Sequence, residues 1–305
     1  MRRLGRLSTS VAGLELEHPV MNASGILGSE PEHLDILARL GVSALVSKTI
    51  TPKPRAGYEP PIVVELRNGG LLNAVGLANP GKEIIPSLVK RARELNKIII
   101  ISVGGVSERE FAEVAEMADE SRADGIELNL SCPHTRGYGI DIGSDPEDVA
   151  RVVETVVSVT KIPVIVKLGL SDRILRSAEK ALEKGARALA LINTVKALSI
   201  DVYSRKPILT NVFGGLSGPP IHPIAVRVVY EIYKELRPEI IGCGGVSSWA
   251  DAAELILAGA RAVQIGTALI KNQSIVREVV EGLERWLEEI DARDLGEVVG
   301  SAVET

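Results

Sequence analysis

The sequence predicts an α/β protein: one closed (β/α)8 TIM barrel over residues 1–305, with long loops after its second and sixth strands. Three observations predict it. Eight short β-rich apolar segments recur along the chain, and longer stretches with apolar residues at intervals of three and four separate them. Three of those stretches end alike, in Ala38-Arg-Leu-Gly-Val, Leu182-Glu-Lys-Gly-Ala and Leu257-Ala-Gly-Ala, where glycine suits the left-handed position past a helix. No Pro/Gly/Ser linker divides the repeats, and no Gly-x-Gly-x-x-Gly follows a strand, which disfavours the alternative of an open, doubly wound dinucleotide-binding sheet.

In chain order, a strand is expected over 19–24 and a helix over 31–40, begun by Pro31 where a missing N–H costs nothing. The second strand, 44–48, precedes an insertion, 49–81, and a helix over 82–96. The aliphatic run opening strand 98–103 leads to a helix over 108–121. Strand 125–131 is followed by a helix over 146–160 that starts on Pro146, and strand 163–168 by a helix over 177–184. After strand 188–193 comes the second insertion, 194–222, before a helix over 223–237 opened by Pro223. Strand 239–242 with helix 248–258, and strand 262–266 with helix 274–290, complete the repeats. Insertions at the C-terminal mouth of such a barrel usually carry function.

Composition narrows the class of function. A 45% hydrophobic chain excludes disorder, and a net charge of −5 with both signs interspersed leaves no basic arm or polybasic patch for nucleic acid or membrane. Cys132 and Cys243 are too few and too far apart for a disulfide framework or zinc site, so a reducing, cytoplasmic setting fits. No apolar run follows the basic first ten residues, and none is long enough to span a bilayer, so a soluble protein is expected.

Barrel chemistry sits where strands end. Those ends are Ser24-Gly25, Lys48-Thr49, Ser102, Asn129 with Ser131-Cys132, Lys167, Asn193-Thr194, Gly244-Gly245 and Gly266-Thr267. Two lysines and two asparagines converging on one mouth point to a polar, electron-rich, flat ligand. The glycines after strands seven and eight leave backbone N–H groups bare for a phosphate. Cys132, in a loop beside polar neighbours, suits a base or nucleophile, whereas Cys243 reads as a small buried hydrophobe. His18, His33 and His222 fall in turns or helix starts and are expected to be solvated; His134 could face the ligand.

These residues resemble the FMN-dependent dihydroorotate dehydrogenases over about residues 10–290. The motifs are Asn22-Ala-Ser-Gly, Ser47-Lys-Thr-Ile-Thr-Pro-Lys-Pro-Arg-Ala-Gly, Asn73-Ala-Val-Gly-Leu-Ala-Asn-Pro-Gly, Glu127-Leu-Asn-Leu-Ser-Cys-Pro, Val166-Lys-Leu, Leu191-Ile-Asn-Thr, Gly214-Gly-Leu-Ser-Gly-Pro and Gly242-Cys-Gly-Gly-Val, in family order. The resemblance implies a single FMN-binding domain that oxidises dihydroorotate to orotate in pyrimidine synthesis. It makes Cys132 the base at substrate C5, while the C6 hydride passes to flavin N5. Lys167 would stabilise the anionic reduced flavin, and Lys48 would touch flavin and substrate. Ala23, Ser24, Gly25, Lys48, Thr49, Ser102, Asn129, Lys167, Ile192, Gly218, Gly244, Gly245, Gly266 and Thr267 map onto flavin-contacting positions, with Ser102 where asparagine is commoner. Lys48, Asn73, Ala74, Val75, Gly76, Leu77, Asn129, Asn193 and Thr194 map onto the substrate set.

The chain is most similar to the class 1B catalytic subunit, which implies a homodimer, and a heterotetramer with a subunit carrying FAD and a 2Fe–2S cluster that passes electrons to NAD. Two cysteines cannot hold that cluster here. His134 stands where the commonest motif has asparagine, and Ser-Cys-Pro-His also resembles the pyrimidine-reducing domain of dihydropyrimidine dehydrogenase. A uracil or thymine reductase is therefore one alternative, and a flavin-binding subunit without turnover another. Tyr58 stands where the family often has asparagine.

Overall fold

The computed structural model describes residues 5–130 and 140–304, with side chains at all of these except 140 and 141. Eight parallel strands form one sheet: β1 (Val20–Asn22), β2 (Ala44–Val46), β3 (Ile98–Val103), β4 (Gly125–Asn129), β5 (Val164–Leu168), β6 (Ala188–Leu191), β7 (Ile240–Cys243) and β8 (Ala260–Ile265). Hydrogen-bonded neighbours run β1-β8-β7-β6-β5-β4-β3-β2, so consecutive strands are adjacent and only β1 and β2 lack a ladder between them.

Side chains close that seam. Ser43 donates its N–H and its hydroxyl to the Val20 carbonyl, at 2.9 and 2.8 Å. The buried Asn22 carboxamide accepts from Val46 N–H at 2.9 Å and donates to Val46 C=O at 2.7 Å, reproducing the two bonds a neighbouring strand would make. Replacing Asn22 by leucine keeps the volume but strands both Val46 groups in a dry wall. The expected result is a loss of about 2–4 kcal/mol in urea-induced unfolding, and a change below about 0.5 kcal/mol would mean that water or backbone shifts fill the gap.

Helices cover the outside: α1 (Pro31–Arg39), α2 (Ile85–Glu94), α3 (Glu108–Glu120), α4 (Pro146–Val159), α5 (Ile174–Glu183), α6 (His222–Leu236), α7 (Trp249–Leu257) and α8 (Ile275–Glu289). Each buries an apolar stripe, as α4 does with Val149, Val152, Val153 and Val156. Ser107, Asp145 and Ser248 cap their helices by accepting from Glu110, Glu147 and Asp251 N–H groups. Gly41, Gly185 and Gly259 have positive φ at the helix-to-strand transitions, as the repeated glycines suggest.

Two features go beyond the expected repeats. A hairpin, Thr9–Val11 with Leu14–Leu16, puts Val11, Leu14 and Leu16 into one cluster with Met21, Ile100, Ile165 and Ile241 from the barrel interior, closing the N-terminal end. The two long insertions also pair with each other. Val63–Glu65, Leu71–Asn73, Gly214–Ser217 and Val195–Ala197 form one antiparallel sheet in that order, with Gly215 opposite Asn73. The strand read as 125–131 ends at Asn129, and Ser131, Cys132 and His134 lie outside the described residues.

Candidate active site

The C-terminal mouth of the barrel opens into a cleft of about 700 Å³ whose lining includes both Asn73 and Ser217 from the antiparallel sheet. Its floor is the last inward-facing layer of the strands. Lys167, at the end of β5, is buried and donates to Gln264 Oε1 at 2.8 Å and to Ser24 Oγ at 3.3 Å. The fully buried Glu127 carboxylate on β4 is 3.6 Å from Lys167 Nζ, and accepts from Gln264 Nε2 at 2.6 Å and Ser102 Oγ at 3.3 Å. Burial works against a charged Lys167, but the Glu127 carboxylate outweighs it and holds the ammonium above the ordinary lysine value. Burial pushes the Cys243 thiol up, so it remains protonated, in keeping with a small buried side chain.

From this floor a chain of hydrogen bonds climbs one wall. Ser102 Oγ is 3.0 Å from Thr49 Oγ1, which accepts from Asn129 Nδ2 at 2.9 Å, and Asn129 Oδ1 accepts from Asn193 Nδ2 at 3.1 Å. Both asparagines are thereby fixed in orientation, as a site that reads ring amides requires. Half-buried Lys48 lies beside Thr49, and among the described residues no carboxylate pairs with it. Burial alone pulls its ammonium below the ordinary lysine value.

The opposite wall is the loop after Leu71–Asn73. Asn73 Nδ2 donates to Gly215 C=O at 3.1 Å, Tyr58 N–H to Val75 C=O at 3.1 Å, and Asn79 Nδ2 to Leu77 C=O at 2.7 Å. Tyr58 packs against this loop, since a Cβ on Gly76 would stand 2.8 Å from its ring. Asn73, Val75, Gly76 and Leu77 line the cleft, as do Asn193, Thr194 and Ile192. Ala74 does not: it is buried with Leu72 and Leu209 in a separate small cluster. Ser102 lies one layer down, beneath Thr49, and reaches the cleft only through that hydroxyl.

The third side is nearly bare backbone. Ala23, Ser24, Gly25, Gly218, Gly244, Gly245, Gly266 and Thr267 all line the cleft. Gly244 and Gly245 have φ of 136° and 75°, and a Cβ there would come within 2.7 Å of Ala225 and 2.6 Å of His222. Thr267 Oγ1 donates to Ser217 Oγ at 2.8 Å. Small residues at a strand end, followed by the start of Thr267–Lys271, suit a phosphate group.

Sequence reading passed over Glu127 and Gln264, although a carboxylate and a carboxamide inside strands that otherwise read as core are a signal of an internal polar layer. The sequence also places His18, His33 and His222 in solvent. His18 instead bonds Gly41 C=O at 3.0 Å in a part-buried pocket, and His222 is buried, because each ring is clamped by neighbouring backbone. His33 is part-buried beside Ser29 Oγ at 3.2 Å. No helix among the described residues is long and apolar enough to cross a membrane.

A family model described as dihydroorotate dehydrogenase matches residues 6–287. A protein of Aeropyrum pernix, provisionally named a dihydroorotate dehydrogenase A (fumarate), is 49% identical over 298 residues, covering 97% of each chain. A dihydroorotate dehydrogenase B (NAD(+)) catalytic subunit of Thermoplasma volcanium is 45% identical over 298 residues, covering 97% of this chain and 98% of its own. Its namesake in Pyrococcus abyssi is 44% identical over 299 residues, covering 97% of this chain and 99% of its own.

Proposed function

This chain belongs to the dihydroorotate dehydrogenase family, and from that we propose that it oxidises dihydroorotate to orotate in pyrimidine biosynthesis as a single FMN-binding barrel domain. The observation that carries the reading is the convergence, in one cleft, of Lys48, Lys167, a fixed pair of asparagines and a glycine cradle. The cleft fits FMN: Gly244 and Gly245, whose positive φ favours glycine, present bare backbone to it, and Lys167 keeps a buried positive charge on the floor. Gly218, Gly244, Gly245, Gly266 and Thr267 would hold the phosphate, and Ala23, Ser24, Gly25, Thr49 and Ile192 would flank the remainder. When bound, FMN supplies a two-electron acceptor for the hydrogen leaving C6 of the substrate.

Cys132 is proposed as the base that removes the C5 proton. A thiol of ordinary pKa, about 8.5, is mostly protonated at neutral pH, so the rate rises as the pH approaches that value. Lys167 favours negative charge arriving on the bound cofactor without giving up its own proton. Asn73, Asn129, Asn193 and Thr194 orient the flat pyrimidine, with the Gly76-Leu77 backbone completing the set, and Lys48 provides the cation for its carboxylate.

Lys48 gives this reading a pH signature. Because burial lowers its pKa, it loses its charge at a lower pH than an exposed lysine, and orotate binding should weaken as the pH rises through that lowered value. The orotate Kd of the FMN-loaded protein, measured from about pH 7 to pH 10, should rise at the alkaline end for wild type and stay flat for Lys48→Arg, whose guanidinium remains charged. Identical profiles for the two proteins would remove Lys48 from carboxylate binding.

The relatives named as B-type NAD(+) catalytic subunits support a partner electron-transfer subunit and NAD as acceptor, which on the family resemblance would be a homodimer with an FAD and 2Fe–2S subunit; the A-type relative leaves fumarate as the competing acceptor. Turnover with NAD only after adding a B-type electron-transfer subunit would support the first, and turnover of the chain alone with fumarate the second. Substrate identity is tested by comparing flavin bleaching with dihydroorotate and with dihydrouracil. Bleaching by dihydrouracil alone would overturn the assignment in favour of a dihydropyrimidine reductase.

A further inference from the structure

His222 opens α6 directly behind the glycine cradle, and both of its ring nitrogens face acceptors. Nδ1 is 2.9 Å from the carbonyl oxygen of Gly244, and Nε2 is 2.9 Å from Glu254 Oε2, with Asp251 Oδ1 at 3.8 Å. A carbonyl can only accept, so Nδ1 carries a proton. Nε2 lies within hydrogen-bond distance of the Glu254 carboxyl, so the ring is held from both edges. It stands at the start of α6, and the acidic side chains that hold it come from α7.

The bonded carbonyl belongs to the peptide that joins Gly244 to Gly245. That unit is planar, and when it is trans its N–H points opposite to its C=O. Donation from His222 therefore turns the Gly245 N–H away from the histidine and fixes its direction. A donor on the carbonyl also polarises the amide and makes its N–H a stronger donor. Both glycines line the cleft.

We propose that His222 is a positioning residue for a phosphate monoester: its ring, held by Glu254, orients and polarises the Gly244–Gly245 peptide towards the phosphate of the bound ligand. The inference rests on the flavin phosphate reading of the cleft given above. It distinguishes the phosphate from the rest of the ligand, because only a group at the glycines should sense the histidine.

The test compares FMN with riboflavin, which lacks the phosphate, by quenching of flavin fluorescence on the cofactor-free full chain. His222→Gln removes the ring and its fixed Nδ1–H donor, and Glu254→Gln removes the exposed carboxylate without touching the core. FMN binding should weaken about tenfold in His222→Gln and about threefold in Glu254→Gln, the range of one charge-assisted hydrogen bond, while riboflavin binding stays unchanged. Equal weakening of both flavins, or no weakening of FMN, would overturn the proposal. Nitrogen-15 spectra of the histidines give a readout independent of flavin: His222 Nδ1 should be protonated in wild type, and an unprotonated Nδ1 would also overturn it. If wild type binds neither flavin, the flavin reading fails, and inorganic phosphate replaces FMN as the probe. Weaker phosphate binding in His222→Gln would then support the positioning role, and equal binding would end it.

Discussion

Replacing Cys132 by alanine is expected to slow flavin reduction by dihydroorotate about 1,000-fold at neutral pH, the usual scale for removing a positioned general base. Binding should survive, because no described contact of the glycine cradle or of Lys167 depends on the thiol. Stopped-flow reduction of the FMN-loaded variant separates the two: the flavin spectrum stays that of the bound cofactor while the bleaching phase slows. The pH profile sharpens the result. Wild-type rates should climb with pH as the thiolate fraction grows, and the alanine variant should lose that climb. A variant within tenfold of wild type, with the same profile, would assign the proton transfer to another group or to water.

The second large effect is at Lys167, whose partners make it structural as well as chemical. Removing its amine leaves the Glu127 carboxylate fully buried with, among the described residues, only Gln264 and Ser102 as donors. Breaking one side of such a pair costs about 3–5 kcal/mol. Lys167→Met should therefore unfold at markedly lower denaturant, and adding Glu127→Gln should restore most of the loss by removing the stranded charge. Reduction by dihydroorotate should nevertheless stay about 100-fold slow in the double variant, because the positive charge on the cleft floor is gone. A double variant that reduces flavin at the wild-type rate would show Lys167 to be structural only. Linkage sets the pH range. With its pKa raised in the folded state, Lys167 contributes stability below the ordinary lysine value, and loses it only as the pH climbs through the raised one. The pair is thus intact across neutral pH.

Much of this was legible because local chemistry decides it. β-branched runs, proline at helix starts and glycine past helix ends produce the eight repeats, and polar residues closing apolar strands mark the mouth. What escaped depends on partners far away in sequence. The pairing of Leu71–Asn73 with Gly214–Ser217 joins segments more than 140 residues apart, and nothing within either insertion specifies it. Helix 177–184 begins earlier, at Ile174, because Ser177 and Ala178 are buried on its first turns. His222 reads as an exposed helix start until the Gly244 carbonyl and Glu254 are folded against it. Ala74 sits among cleft residues in sequence, yet the strand it follows turns its side chain down onto Leu72 and Leu209. Glu127 and Gln264 look anomalous alone and make sense only once Lys167 from a third strand is between them.

The most direct test of the account is anaerobic addition of dihydroorotate to the chain loaded with FMN, followed at the flavin absorbance maximum. The account predicts rapid bleaching, with orotate formed in equal amount to the flavin reduced. A chain that takes up no FMN, or that holds it and stays oxidised in the presence of dihydroorotate, would contradict it.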